Sequence, residues 1–239
     1  MKYRATAAPQ ASGYSEAGAS HKRRALRAFF PNSNSPSSDI HDNADTLRQR
    51  SRMLYMSAPV ATSAINTNRT KGVGTGLTLK STIDRDVLGL TPEAAKEWQT
   101  KAEAEFRLWA ENRRNCDAMG MNNFYGLQQL ALKSWLMSGD VFAVVKIRDV
   151  DKLHPYALRL HLVEADRVST PNRYGSAIDI LGYTVGKNPD NGNKILDGVE
   201  VDSSGAVVAY HIRNTYPHEW LNSEETVWQR VEVVCKKTG

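Results

Sequence analysis

A chain of 239 residues, 41% hydrophobic and 24% charged, is long enough to bury a sizeable core as one large domain or two small ones. No uninterrupted apolar run is long enough to span a bilayer and no signal-peptide core opens the chain, so neither a membrane span nor a leader is expected. The formal net charge of +5 sits at the start: residues 1 to 38 hold Lys2, Arg4, Lys22, Arg23, Arg24 and Arg27 against Glu16 alone, and from Asp39 onward bases and acids balance. The pI near 9.2 therefore belongs to this tail and is no argument for a basic groove in the body.

Residues 1–38 are rich in Ala, Ser, Gly, Asn and Pro and bury too little to offset their ordering entropy, so a disordered basic tail, quickly lost to proteolysis, is expected. Within it HKRRALRAFF (His21 to Phe30) reads either as a solvated charge run or as a weak DNA or partner contact through Lys22, Arg23, Arg24 and Arg27. Asp45 is a plausible N-cap for a helix to about Met56, with Leu47 and Leu54 one heptad apart on one face. Pro59 suits the first turn of a second helix that ends at Gly72 and buries Val60, Ala61, Ala64 and Ile65. GVGTG (Gly72 to Gly76) follows a helix and lacks the spacing of a phosphate loop, so it reads as a turn leading into a strand over Leu77 to Ile83.

Thr91-Pro92-Glu93 is a helix start, and Ala95, Trp98, Ala102, Phe106 and Trp109 then step by three or four along a buried stripe. A polar loop through Arg113 to Asn115 reaches the stretch on which the chain is centred, Asn123 to Ile147. There Leu127, Leu130, Ala131 and Trp135 mark the apolar face of a helix, Gly139 caps it, and Val141 to Ile147 is dense enough for a buried strand. Trp135 reads as a core aromatic whose truncation to Ala would cost about 3–5 kcal/mol. Leu158, Leu160 and Leu162 alternate with Arg159 and His161 as a half-buried strand with His161 on its wet face. Gly182 to Val185 is a short strand, NPDNGN is a turn-rich loop, and Val199 to Val201 and Val207 to Ile212 flank a DSSG hairpin turn. The fold class expected is α+β: a helical part over 39–137 packed on a mostly antiparallel β-rich part over 138–239.

Catalytic patterns are scarce. HExxH, GxSxG and DxDxDG are all absent. Cys116 and Cys235 are too far apart in sequence for a metal knuckle and read as free thiols in a reducing compartment. His211 and His218 have no nearby acid or thiol to complete a ligand set. Glu164 and Asp166 read as strand-end ion-pair partners rather than paired catalytic carboxylates. No catalytic, cofactor-binding or metal residue is assigned, and no cofactor is expected.

The segments Leu47 to Leu77 (LRQRSRMLYMSAPVATSAINTNRTKGVGTGL), EFRLWA (Glu105 to Ala110), CDA (Cys116 to Ala118), NFYGLQ (Asn123 to Gln128), MSGDVF (Met137 to Phe142), LVEADRV (Leu162 to Val168) and GVEVDSSGAVVAYHIRNTYP (Gly198 to Pro217) resemble, in order, those of the portal protein family of lambda-like tailed phages. The resemblance implies a non-enzymatic subunit of a dodecameric ring at one capsid vertex, part of the virion and assembled in the host cytoplasm. It also implies partners: further copies of the chain, the terminase large subunit, capsid and scaffold proteins, head-completion or neck proteins, and DNA passing through the ring, with no membrane involved. The matched part resembles the wing of the subunit. The family's stem, clip and crown come after this region, so a purified chain of this extent is not expected to close a ring alone. A small basic-tailed nucleic-acid-binding protein is the alternative reading.

Overall fold

The computed structural model describes Arg24, Ile40 and residues 43–152, 154–171, 177–178, 184–217 and 225–233. The chain divides into two units, Met1–Ile40 and His41–Gly239, and the helices and sheets from residue 43 onward belong to the second. The expected disordered tail lies outside the described residues apart from Arg24.

The second unit begins with two helices, α1 (Ala44–Ser57) and α2 (Pro59–Gly72), divided at Ala58, whose extended backbone precedes Pro59. Asn43 occupies the N-cap of α1 and Asp45 its first turn, so the cap falls two residues before the expected one. Neither helix buries a residue: Val60 is 83% exposed, Ala64 is exposed, and Leu47 and Leu54 face outward. Ala61 and Ile65 are half-buried, so the expected buried stripe of α2 is a shallow one.

After the turn at Gly74, residues 77–84 run without strand pairing, which corrects the strand expected over Leu77 to Ile83. The backbone here is satisfied by side chains instead. Gln128 accepts from Leu77 N at 2.6 Å and donates back to Leu77 O at 3.0 Å, and Glu103 accepts from Ser81 N at 2.8 Å. Gly76, at φ 114°, lies so close to Tyr125 that any Cβ would collide with the ring.

α3 (Pro92–Glu111) starts as expected, with Thr91 Oγ1 accepting from Ala94 N at 3.2 Å and Pro92 in the first turn. Arg113–Cys116 forms a short helical turn, α4, where a loop was expected, because Asn112 Oδ1 caps it by accepting from Arg114 N. α5 (Phe124–Ser138) is capped by Asn123, which accepts from Gly126 N, and is closed by Gly139 at φ 85°. Its inward face carries Leu127, Ser134 and Ser138, and this corrects the apolar face read from the sequence. Trp135 is 55% exposed and Leu130 is exposed as well. Two small serines let the helix approach its neighbours, whereas hydrophobic periodicity picks the adjoining stripe.

β1 (Val141–Ile147) and β2 (Leu158–Glu164) form a two-stranded antiparallel sheet, with Val141 opposite Glu164 and Ile147 opposite Leu158. β1 is not the fully buried strand expected: only Val144 is buried, and Ile147 is 75% exposed. The two faces of this ribbon serve two cores. Leu160 and Leu162 pack on Trp109, Ala110, Cys116 and Leu127, with the Phe106, Trp109 and Phe124 rings 5.1–5.4 Å apart. Val144 and Val163 pack with Val168 and Ile212 on the other face. Trp98, expected in the α3 stripe, is exposed, while Trp109 at the other end of the helix is buried and donates from Nε1 to Leu158 O at 2.9 Å.

The second sheet is a six-stranded antiparallel meander: β3 (Ala177–Ile178), β4 (Thr184–Lys187), β5 (Lys194–Leu196), β6 (Val199–Val201), β7 (Val207–Arg213) and β8 (Trp228–Glu232), in that spatial order. Of the strand expected over Gly182 to Val185, the first two residues lie outside the described ones and the rest belongs to β4. The DSSG turn is held by Asp202 Oδ1, which accepts from Ser204 N at 2.8 Å and Ala206 N at 2.9 Å. An isolated antiparallel bridge, Val168 to Ile212, joins the segment after β2 to β7. The architecture is α+β, with its helices early in the chain and its sheets antiparallel.

Candidate functional site

Two polar clasps and one exposed surface are the features from which a role can be read. The first clasp is centred on Glu200 of β6, whose side chain is fully buried. Its Oε1 accepts from Asn191 Nδ2 at 2.7 Å, Asn193 Nδ2 at 2.9 Å and Arg230 Nη2 at 3.1 Å. Its Oε2 accepts from Arg230 Nε at 2.8 Å, His211 Nε2 at 3.0 Å and Asn188 Nδ2 at 3.3 Å. The donors come from the β4–β5 loop, from β7 and from β8, with His211 and Arg230 directly opposite each other in register. Burial by itself would push this carboxyl up. The bonds from Arg230, Asn193, Asn191 and His211 outweigh it and hold Glu200 well below the usual carboxylate range. The carboxylate thus stitches one loop and three strands together.

The second clasp ties α1 to the end of β2. Arg52 Nη2 donates to Glu164 Oε2 at 2.7 Å and Arg52 Nη1 to Asp166 Oδ2 at 2.5 Å. Arg48 Nε donates to Ser138 O at 3.3 Å, and its Nη2 lies 3.7 Å from Asp140. Glu164 and Asp166 are therefore the ion-pair partners that the sequence suggested. Their cation is not the adjacent Arg167, which donates instead to Arg213 O at 2.9 Å.

Exposed apolar side chains occur on the helices and elsewhere, among them Leu88 in the loop before α3 and Ile147 of β1. Met53, Leu54, Met56 and Val60 of α1 and α2, and Trp135 and Leu136 of α5, all present apolar area to solvent.

His161 departs from its expected wet position. It is half-buried, and burial, then Arg167 and Lys146, push its pKa down, with only Asp117 acting the other way. Cys116 is buried, and burial followed by the neighbouring Asp117 pushes its thiol up to about 11, so it is an unreactive core residue. His218 and Cys235 lie outside the described residues, as do Lys22, Arg23 and Arg27; Arg24 is exposed. Among the described residues no three of His, Cys, Asp and Glu gather as metal ligands, and no helix is long and apolar enough to cross a membrane. Glu200 carries no signal of its own in the sequence, because it sits in a β-rich hairpin as one acid among many. The one available signal is a loop just upstream that holds three asparagines within six residues.

One buried and one partly exposed polar clasp fasten the strands and helices, and apolar side chains of the helices lie outside. Residues 22–234 match the phage portal protein, lambda family, and the chain belongs to that family, whose members are structural components of the phage particle. Over 199 residues it is 27% identical to a probable portal protein of Halomonas phage phiHAP-1, covering 80% of this chain and 33% of that protein. The chain thus spans about a third of that relative's length.

Proposed function

We propose that the chain supplies part of a portal ring subunit: a structural segment of a dodecamer at a single capsid vertex, through which the genome is packaged and ejected. The observation that carries this reading is the family match running through nearly the whole of the described unit, from the helices to β8. The exposed apolar side chains of α1, α2 and α5 support it, because a subunit that meets neighbours keeps such area outside its own core. In this reading its partners are further copies of the subunit, capsid and scaffold proteins, the terminase large subunit, head-completion or neck proteins, and the DNA that passes through the ring. Its location is the portal vertex of the virion.

The test is immunogold labelling of purified virions with antibodies raised against residues 41–239, after mild opening of the heads. One labelled vertex per particle is the expected result. Label spread over all vertices, or absent from particles altogether, overturns the reading.

A further inference from the structure

Arg159 presents an unsolved electrostatic problem. It sits on β2 with 6% of its surface exposed, and neither Nε nor Nη2 has a hydrogen-bond partner. A guanidinium stays charged at any pH a protein survives, so burial cannot neutralise it. Buried charges in folded proteins are paired, and an unpaired one is costly. The two orphaned atoms also belong to one edge of the guanidinium, the edge whose parallel N–H bonds fit two oxygens of one oxyanion. Arg230 shows that edge in use in this protein: its Nε and Nη2 grip the two oxygens of Glu200 at 2.8 and 3.1 Å.

Two other basic or titratable side chains share the ribbon face of Arg159. Directly opposite it in the β1–β2 register, on the same face of the ribbon, stands Lys146, and His161 is two residues further along that face. Lys146 Nζ donates to Gln229 Oε1 at 3.3 Å, a neutral partner that leaves its charge uncompensated. The carboxylates at and beside β2, Asp117, Glu164 and Asp166, hold other partners. Asp117, bridged to β2 at Leu160, accepts from Met119, Met121 and Asn122 N, each at 2.9 Å. Glu164 and Asp166 are bound to Arg52. His161 is pushed down first by burial and then by Arg167 and Lys146, with Asp117 acting the other way.

We propose that this seam, Arg159 with Lys146 and His161, is a binding site for an oxyanion of the phosphate type, held side-on by Nε and Nη2 of Arg159. The phosphate is either free or part of a DNA backbone, and the experiment separates the two. The site does not depend on the ring reading.

The experiment monitors thermal unfolding of the full chain in sodium phosphate against sodium chloride at matched ionic strength, for wild type, Arg159→Met and Arg159→Lys. At a phosphate concentration about ten times the dissociation constant, wild type gains roughly 3–6 °C in Tm. Arg159→Met, which removes the fork but keeps an unbranched apolar stem, loses that gain, and Arg159→Lys, which keeps the charge without the fork, loses most of it. In wild type alone, the His161 ring resonances followed by NMR give a higher pKa in phosphate than in chloride, a readout that needs no variant to fold. A second arm measures anisotropy of a labelled DNA duplex. Binding weakened about tenfold by Arg159→Met, with little response to free phosphate, assigns the site to a DNA phosphate. Equal phosphate responses in wild type and Arg159→Met overturn the proposal, as does a wild type that responds to neither phosphate nor DNA through Arg159.

Discussion

The six-stranded sheet and the α1–α2 pair are held to the rest of the unit in opposite ways. The sheet buries a carboxylate completely and satisfies each of its oxygens with three hydrogen bonds, so its strands and the β4–β5 loop share one internal node. The helix pair buries no residue completely, and its polar attachments include Arg48, Arg52 and a lysine–aromatic contact, Lys133 Nζ lying 4.5 Å from the Tyr55 ring centre. Region by region, stability tracks burial, and apolar side chains left outside are available to something else. The sheet carries its polar node inside; the helix pair carries apolar side chains outside.

The sharpest way to break this comparison is at Glu200. Glu200→Ala leaves Arg230, His211 and three asparagine amides around an empty acceptor site, and should cost about 3–5 kcal/mol in urea unfolding. A loss below about 1 kcal/mol would mean that the node is not what holds the sheet. Acid gives a second reading of the same node. The folded pKa of Glu200 lies below its ordinary value of 4.5, so the unfolded chain binds the extra proton first. The contribution is complete above that ordinary value and is lost as pH falls below it toward the lowered one. Tm should therefore fall more steeply with acidification in wild type than in Glu200→Gln, and parallel profiles would refute this.

The helix side predicts smaller effects on folding. Arg52→Ala removes both bonds of a partly exposed clasp and should cost about 1–2 kcal/mol, with the faster hydrogen exchange confined to α1 and α2. Exchange that quickens equally in β5–β8 would show the two regions to be one cooperative block. Replacing Met53, Leu54 and Met56 together by Gln should change stability by no more than about 0.5 kcal/mol per site. It should also reduce self-association in sedimentation velocity, whereas unchanged association would remove these residues from any contact surface. The smallest effect is expected at Trp135: Trp135→Ala should stay within about 0.5 kcal/mol of wild type, the opposite of the core role its helical spacing suggests. A loss of several kcal/mol would place the ring in a core after all.

Local chemistry was legible wherever it acts over a few residues. Pro59, the Thr91-Pro92 start, the glycine at 139 and the Asp202 turn each dictate their own backbone, and all occupy the places expected of them. The antiparallel pairing of β6 with β7 followed from the same kind of signal. Periodicity identified α3 and α5 as helices but chose the wrong face for Trp98, Leu130 and Trp135, since it ranks side chains by apolarity. The packed face of α5 is chosen by the small size of Ser134 and Ser138. The segment Leu77 to Ile83 looked like a strand because its composition suits one, yet its backbone partners are the side chains of Gln128 and Glu103, 51 and 22 residues away. Glu200, Arg52 and Arg159 are of residue types that also occupy many exposed positions. Only the tertiary structure decided that the first accepts six hydrogen bonds, that the second bridges two carboxylates and that the third has an unfilled fork, because a charge acquires its meaning from neighbours distant in the chain.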